Sequence, residues 1–187
     1  MTKKAIVIGS KVSKSLSPII FNYWFKKYNI KATYSFNEIK PQNFNKEINK
    51  ILRDKSICGF NVTIPFKESI NKKINSLDDH STKIQAVNCV SRIKNKWVGK
   101  NTDWMGFSQS INSLIKKNVN KKAVVLGYGG ASKAIVYSLL KEGFDEIKIY
   151  NRTLKKTKKL KNIKTIFLIK KNEIKDSLKK TDIVINT

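Results

Sequence analysis

The sequence has few of the residues that form disulfide-rich or metal-rich folds. Its 187 residues include two cysteines, Cys58 and Cys89, and one histidine, His80. Two cysteines cannot form a disulfide framework, and together with one histidine they do not supply the four ligands of a structural zinc site. The chain therefore fits a reducing compartment, and we expect it in the cytoplasm.

Long apolar runs are also missing. No N-terminal stretch resembles the apolar part of a signal peptide, and no run approaches the roughly 20 residues that cross a membrane. Hydrophobic residues nevertheless make up 40% of the chain, which is enough for a substantial core at this length. The composition predicts a globular protein without a membrane partner.

Acidic residues and arginines are scarce. The chain has 39 basic and 13 acidic residues, for a formal charge of +26, but only Arg53, Arg92 and Arg152 are arginines. The lysines are spread over the whole length, whereas proteins that read bases rely on arginine and on clustered basic faces. We therefore expect no nucleic-acid partner, although the positive field would attract anionic substrates. Salt-sensitive binding to duplex DNA would favour the alternative, a lysine-rich nucleic-acid binder.

One segment has the spacing of a nucleotide-binding turn. An apolar strand pattern over 123–126 breaks at a glycine-rich stretch and becomes a helical pattern. A pyrophosphate needs exposed backbone N–H groups at a helix N-terminus. Gly127 would permit the turn, Gly129 would leave room for the cofactor, and Gly130 or Ala131 would let the helix approach the strand. Because Ser132 holds the last glycine position of G-x-G-x-x-G, an ordinary strand-to-helix turn is the alternative.

The end of the next predicted strand, 147–150, distinguishes between the two nicotinamide cofactors. NAD sites usually place a carboxylate there for the ribose hydroxyl, whereas NADP sites place cations for the 2′-phosphate. This chain has Asn151, Arg152 and Thr153, followed by Lys156, and no carboxylate. A planar guanidinium suits phosphate recognition. The pattern predicts NADP, and a solvated basic loop is the alternative.

Strand and helix patterns alternate along the chain, which predicts an α/β fold. We expect an N-terminal α/β substrate domain over 1–103, with a mainly parallel mixed sheet that includes a hairpin over 86–100. A helix should start at Ser17, as its cap, and Pro18. A Rossmann-type NADP-binding domain should occupy 104–187, beginning with a helix over 104–117 and continuing with a basic helix that ends near Lys161. This domain is incomplete, because only one βαβαβ half and the start of another are present.

Two candidate residues follow strands or precede helices. Lys67 comes shortly after the strand predicted over 57–63, and open α/β sheets bind ligands at the carboxyl ends of parallel strands. A helix with Ile70 and Ile74 on its apolar face is expected after it. An ordinary surface lysine is the alternative for Lys67. For Thr102 or Asp103, a helix N-cap is the alternative.

Six ordered stretches resemble the motifs of the shikimate dehydrogenase family. They are S-x-S at Ser15-Leu16-Ser17, N-V-T-x-P-x-K at 61–67, A-V-N at 86–88, G-x-N-T-D-x-x-G-F at 99–107, the glycine loop at 127–131 and N-R-T at 151–153. They span nearly the whole chain, and the lysine and aspartate motifs are specific to the family.

The resemblance implies a two-domain enzyme that interconverts 3-dehydroshikimate and shikimate with NADPH, on the route to chorismate and the aromatic amino acids. It implies that Lys67 is the catalytic acid and base and that Asp103 assists it. The residues implied to hold the substrate are Ser15, Ser17, Thr63, Lys67, Asn88 and Asp103. Those implied to bind the cofactor are Asp79, Gly127, Tyr128, Gly129, Gly130, Ala131, Asn151, Arg152, Thr153 and Lys156.

The chemistry accounts for a lysine and an aspartate in such a site. Hydride transfer to a ring ketone leaves a developing alkoxide, which requires a proton and nearby positive charge. Lys67 can supply both, and Asp103 can keep the ammonium charged and oriented.

The sequence departs from the family pattern at three points. Gln85 replaces the glycine usual before A-V-N, and Cys89 replaces the threonine usual after it. Family members also continue well beyond Thr187, so we expect a fragment. The alternatives are a quinate/shikimate dehydrogenase that also uses NAD, and an inactive remnant that acts only as a binding module. We expect a monomer or a homodimer.

Overall fold

The computed structural model describes residues 2–112, 120–153, 157, 160 and 162–187. These residues form two units, the first ending at Asn101 and the second beginning at Thr102. The sequence placed the domain boundary between residues 103 and 104.

The first unit is built on a six-stranded mixed sheet. Its elements are β1 (Lys3–Gly9), α1 (Ser17–Lys27), β2 (Ala32–Glu38), α2 (Phe44–Arg53), β3 (Ile57–Val62), β4 (Ser76–Leu77), α3 (Asp79–Ile84), β5 (Cys89–Ile93) and β6 (Lys96–Lys100). The strand order is β2-β1-β3-β5-β6-β4. β2, β1 and β3 run parallel, as do β4 and β6, whereas β5 is antiparallel to both β3 and β6. The hairpin therefore adds antiparallel character, as the sequence predicted.

The two faces of this sheet bury different side chains, because successive residues of a strand point to opposite faces. Ile8 of β1 and Phe60 of β3 belong to the main core, together with α2. Val7 and Tyr34 belong to a smaller cluster that includes Phe21 of α1. The smaller cluster lies beneath the helix that begins at Ser17.

The chain after Phe66 differs from the predicted helix with Ile70 and Ile74. It forms only a 3-10 turn, Ser69–Lys72, before β4. The physical reason is competition for backbone hydrogen bonds, since Asn75 N donates to a carbonyl of β6 at 3.0 Å and Asp78 N to another at 3.0 Å. Pairing with β6 therefore ends the helical turn, although Ile70 is fully buried as its spacing predicted.

The second unit has a four-stranded parallel sheet. Its elements are α4 (Asp103–Ile111), β7 (Lys122–Leu126), α5 (Gly130–Lys141), β8 (Glu146–Tyr150), β9 (Ile166–Ile169), α6 (Ile174–Leu178) and β10 (Ile183–Asn186). The order is β10-β7-β8-β9, with every pair parallel. Val125, Leu139, Ile147 and Ile149 form the centre of its core. The predicted α/β fold class is confirmed for both units.

Parts of two predicted helices lie outside the described residues. α4 is described as far as Ile111, whereas the prediction extended to residue 117. Much of the predicted basic helix that ends near Lys161 lies outside them as well. Within the described ranges, no helix is both long and apolar enough to cross a membrane. The same ranges contain no group of three or more His, Cys, Asp or Glu side chains placed to hold a metal ion.

Candidate active site

A loop that we call the serine loop, residues 10–16, follows β1 and is fixed by a carboxylate. Val12 N and Ser13 N donate to Glu38 Oε2 at 2.8 Å and 2.7 Å. The Ser13 hydroxyl and these two N–H groups, in that order, lower the pKa of Glu38. Sequence reasoning missed Glu38. The available signal was an acidic residue at the end of β2, in a chain with few acids.

Ser15 and Ser17 lie where the serine loop meets α1. Ser15 N donates to Val12 O at 3.0 Å, and Ser17 N donates to Ser15 Oγ at 3.3 Å. Ser17 is the first residue of α1 rather than its cap, and the capping position belongs to Leu16. The prediction of Ser17 as the cap is therefore wrong. Ser15 supplies a hydrogen-bond acceptor at the helix start instead, because its hydroxyl accepts from Ser17 N.

The loop after β3 is bound to the end of β1. Thr63 N donates to Ile8 O at 2.9 Å, and Ser10 N donates to Ile64 O at 3.1 Å. The Ile64–Pro65 peptide is cis. These bonds hold half-buried Thr63 at the carboxyl end of the two parallel strands, next to the serine loop.

Lys67 is held by its neighbours in the chain. Phe66 is 3% exposed and stacks on Phe44, with the ring centroids 4.5 Å apart. Val87 N donates to Lys67 O at 2.7 Å. Lys67 as a residue is half-buried rather than exposed. The backbone of this lysine is thus fixed against the A-V-N segment.

The backbone of Asn88 is bound on both sides. Val62 N and Asn61 Nδ2 donate to Asn88 O at 2.9 Å and 3.2 Å, and Asn88 N donates to Lys100 O at 3.1 Å. The first unit therefore brings Thr63, Lys67 and Asn88 together at the ends of β1 and β3, next to the serine loop.

Asp103 begins α4 in the second unit. Its N-cap position is occupied by Thr102, whose side chain makes no capping hydrogen bond. Asp103 itself lies in the first turn, where the helix dipole favours a carboxylate. Asn101, the last residue of the first unit, is buried, and its Nδ2 donates to Ala86 O at 2.9 Å. The A-V-N segment thus anchors the chain two residues before Asp103.

Asp79 is exposed in the first turn of α3. The cap of this helix is Asp78, whose carboxylate accepts from Ser81 N at 2.7 Å. Capping therefore does not require Asp79.

The glycine loop makes a specific set of internal hydrogen bonds. Gly127 has a φ of 107°, which favours glycine, and its N–H donates to Tyr150 O at 2.8 Å. Gly129 N donates to Ser132 Oγ at 3.2 Å. Ser132, the departure from the glycine pattern, is 1% exposed and also hydrogen-bonds the Thr187 hydroxyl. The serine at this position therefore stabilises the loop from within.

The loop leaves the start of α5 suitable for an anion. The first helical bond runs from Lys133 N to Gly129 O at 3.0 Å, so the N–H groups of Gly130, Ala131 and Ser132 precede the helical ladder. A methyl group added at Gly129 would meet no atom within 4 Å. Backbone donors with open space above them fit the pyrophosphate of a dinucleotide.

Asn151 joins the glycine loop to the loop after β8. Its Oδ1 accepts from Tyr128 N at 3.1 Å, and its Nδ2 donates to Thr153 O at 2.7 Å. Arg152 and Thr153 are exposed. The predicted cofactor residue Lys156 lies outside the described residues. Asn151 thus brings the glycine loop and the N-R-T segment together. Residues 151–153 include the exposed guanidinium of Arg152 and no carboxylate, which is the pattern expected for a 2′-phosphate site.

The chain consists of a mixed α/β unit, with a half-buried lysine at its strand ends, and a parallel unit of the dinucleotide-binding type. This is the architecture of a two-domain nicotinamide-dependent dehydrogenase. Comparison with known families agrees. Residues 7–90 match the shikimate dehydrogenase substrate binding domain, and residues 110–187 match the shikimate / quinate 5-dehydrogenase family.

Individual relatives match along nearly the whole chain. The shikimate dehydrogenase (NADP(+)) of Oceanobacillus iheyensis is 35% identical over 191 residues, covering 100% of this chain and 69% of the relative. The enzyme of the same name from Thermotoga maritima is 36% identical, covering 98% of this chain and 68% of the relative. The crystal structure of shikimate dehydrogenase from Aquifex aeolicus is 36% identical with a TM-score of 0.88, covering 100% of this chain and 68% of that one. The chain belongs to the shikimate dehydrogenase family, and the family prediction from the six motifs is confirmed.

Proposed function

We propose that this chain catalyses the reversible NADP-dependent interconversion of 3-dehydroshikimate and shikimate, on the route to chorismate and the aromatic amino acids. The observation that carries the proposal is the setting of Lys67. Lys67 is half-buried and follows a stacked, buried Phe66, and its backbone is bonded to the A-V-N segment. Thr63 and Asn88 are fixed beside it by bonds to β1, β3 and β6.

Lys67 moves the proton in the proposed mechanism. NADPH, when bound at the glycine loop, supplies the hydride. In the direction of reduction, the ammonium of Lys67 gives a proton to the ketone oxygen of the substrate as that oxygen becomes an alkoxide. In the reverse direction, the neutral amine takes the hydroxyl proton. We propose that Asp103 hydrogen-bonds the adjacent substrate hydroxyl and favours the charged lysine, a role that rests on the family motif.

The other substrate contacts are hydrogen bonds from polar side chains. We propose that Ser15, Ser17, Thr63 and Asn88 bind the carboxylate and hydroxyls of the substrate. The hydroxyls and the side-chain amide are uncharged donors that can hydrogen-bond both a carboxylate and a hydroxyl of the substrate. Glu38, which fixes the serine loop, supports this arrangement by holding the backbone near Ser15.

The cofactor is proposed to bind along the start of α5 and the N-R-T loop. Gly127, Tyr128, Gly129, Gly130 and Ala131 would face the pyrophosphate. The residues proposed at the adenosine 2′-phosphate and elsewhere on the cofactor are Asn151, Arg152, Thr153, Lys156 and Asp79. The exposed guanidinium and the lack of a carboxylate at 151–153 support NADP over NAD.

We further propose that the protein acts in the cytoplasm as a monomer or a homodimer, without nucleic acid or membrane as a partner. Both cysteines are free thiols, which suits a reducing compartment. Light scattering of the purified chain would measure the oligomeric state.

The catalytic role of Lys67 can be tested with a charge-matched pair of variants. Lys67→Ala should lower the rate of shikimate oxidation by about 10²–10⁴-fold, because the proton transfer is lost. It should leave NADP affinity unchanged, because Lys67 is assigned to the substrate and not to the cofactor. Lys72→Ala removes an exposed lysine from the neighbouring turn and should keep the wild-type rate. An unchanged rate in Lys67→Ala would remove this residue from the mechanism.

A further inference from the structure

We propose that Tyr34 and Asn61 are positioning residues for the substrate site, forming a partly buried hydrogen-bond relay that sets the orientation of Asn88. The proposal rests on the proposed function, because Asn88 is there assigned to substrate binding. Neither Tyr34 nor Asn61 needs to contact the substrate for the relay to act.

The relay consists of two consecutive hydrogen bonds across the sheet. Tyr34 on β2 is 4% exposed, and its hydroxyl donates to Asn61 Oδ1 at 2.6 Å. Asn61 Nδ2 then donates to Asn88 O at 3.2 Å. The relay thus runs from an edge strand, past β1, to the segment that carries Asn88.

The direction of both bonds is determined by chemistry. The carbonyl of Asn88 can only accept, so the amide nitrogen of Asn61 must face it and the amide oxygen must face Tyr34. The phenol therefore has to donate. Burial, and secondly the nearby Cys89, raise the pKa of Tyr34, so its hydroxyl keeps the proton throughout the physiological range.

Tyr34 is in turn fixed by the helix that follows the serine loop. Asn22 of α1 donates from Nδ2 to Tyr34 O and accepts from Tyr34 N, both at 2.8 Å. The ring of Phe21, also in α1, stacks on the Tyr34 ring with centroids 4.5 Å apart and planes 7° apart. α1 begins at Ser17, so the relay connects the helix next to the serine loop with Asn88.

Strand pairing alone does not explain the relay. Val62 N already donates to Asn88 O at 2.9 Å, so Asn61 supplies a second donor to a carbonyl that is already bonded. Replacing a buried hydrogen-bonded pair by apolar groups of similar shape can be nearly neutral for stability. Tyr34 lies in an otherwise apolar cluster, and its hydroxyl is bonded to the amide of Asn61. This pairing is better explained by the orientation that it imposes on Asn88.

The test compares Tyr34→Phe with a control that loses a hydrogen bond at the far side of the same sheet. Tyr34→Phe keeps the ring stack and removes only the donor. It should weaken shikimate binding by roughly three- to tenfold, leave NADP affinity within about twofold, and shift the backbone and side-chain amide NMR signals of Asn88 in the ligand-free chain. The control, Asn75→Ala, removes the acceptor for Trp97 N at 2.7 Å and should change none of these.

A double-mutant cycle separates a relay from two unrelated effects. If Tyr34 acts through Asn61, adding Tyr34→Phe to Asn61→Ala should not weaken shikimate binding further. Additive losses, an unchanged affinity in Tyr34→Phe, or equal losses in Asn75→Ala would each overturn the relay. A folded wild-type chain that binds no shikimate would refute the proposed function instead, and the Asn88 signals would still decide whether Tyr34 positions that residue.

Discussion

The close contact between Gly9 and Thr63 allows a sharp test of how the proposed substrate residues are positioned. A Cβ atom built on Gly9 would lie 2.5 Å from Thr63 Cγ2, 2.7 Å from Val12 Cγ1 and 3.2 Å from Ile64 O. The first two distances are shorter than normal contacts, so Gly9→Ala forces both side chains to move. Rotation of Thr63 about χ1 would relieve the clash but would swing its hydroxyl to another position.

The expected cost follows from overpacking, which destabilises a protein by about 1–3 kcal/mol. For a unit of this size, each kcal/mol lowers the melting temperature by roughly 4–8 °C. Shikimate binding should weaken by more than stability alone explains, because Thr63 and the serine loop at Val12 are both displaced. NADP affinity should stay unchanged, because the proposed cofactor loops belong to the second unit.

The assay combines thermal unfolding with calorimetric titration of shikimate and NADP. Gly106→Ala is the matched control for stability, because the added methyl group would meet no atom within 4 Å and alanine favours the helix. It should keep or raise the melting temperature. If Gly9→Ala matched wild type in melting temperature and shikimate affinity, the reasoning from this contact would be refuted.

Three further predictions follow from single residues. Because the pKa of Glu38 is lowered, its carboxylate stabilises the fold above the ordinary pKa of 4.5, and this stabilisation is lost as the pH falls through the lowered value. Glu38→Gln should therefore reduce the fall in melting temperature at acid pH. A pH profile of melting temperature that matches wild type would contradict this. Ser138→Ala removes a buried hydroxyl that lacks a hydrogen-bond partner and should stabilise the chain by about 1 kcal/mol in urea unfolding, whereas a loss of stability would count against it. Arg152→Ala should weaken NADP binding by about tenfold or more and leave NAD binding unchanged. The control Lys175→Ala, which also removes an exposed cation, should change neither affinity. Equal losses for both cofactors in Arg152→Ala would exclude recognition of the 2′-phosphate by this residue.

Local patterns were sufficient to predict the elements around the cofactor loop. The apolar run before Gly127, the positive φ at that glycine and the helix from Gly130 all depend on neighbours in sequence, and the structure has each of them. For Lys67, the place after a strand indicated only a candidate, and its proposed catalytic role rests on the resemblance to the family motif.

Contacts between distant residues could not be predicted in this way. Glu38 bonds N–H groups 25 and 26 residues away, and Tyr34 bonds Asn61 27 residues away, so neither partner follows from spacing. The helix expected around Ile70 failed for the same reason, because a strand more than 20 residues later competes for its backbone. The hydrogen bond from Ser17 N to Ser15 Oγ depends on the path of the serine loop, which Glu38 binds at Val12 and Ser13.

The most informative experiment is calorimetric titration of this chain with shikimate, NADP and NAD, each separately. We expect shikimate to bind, because most of the proposed substrate residues lie in the first unit. We expect NADP to bind more tightly than NAD, because residues 151–153 include Arg152 and no carboxylate. A folded chain that binds neither shikimate nor NADP would contradict the proposed function.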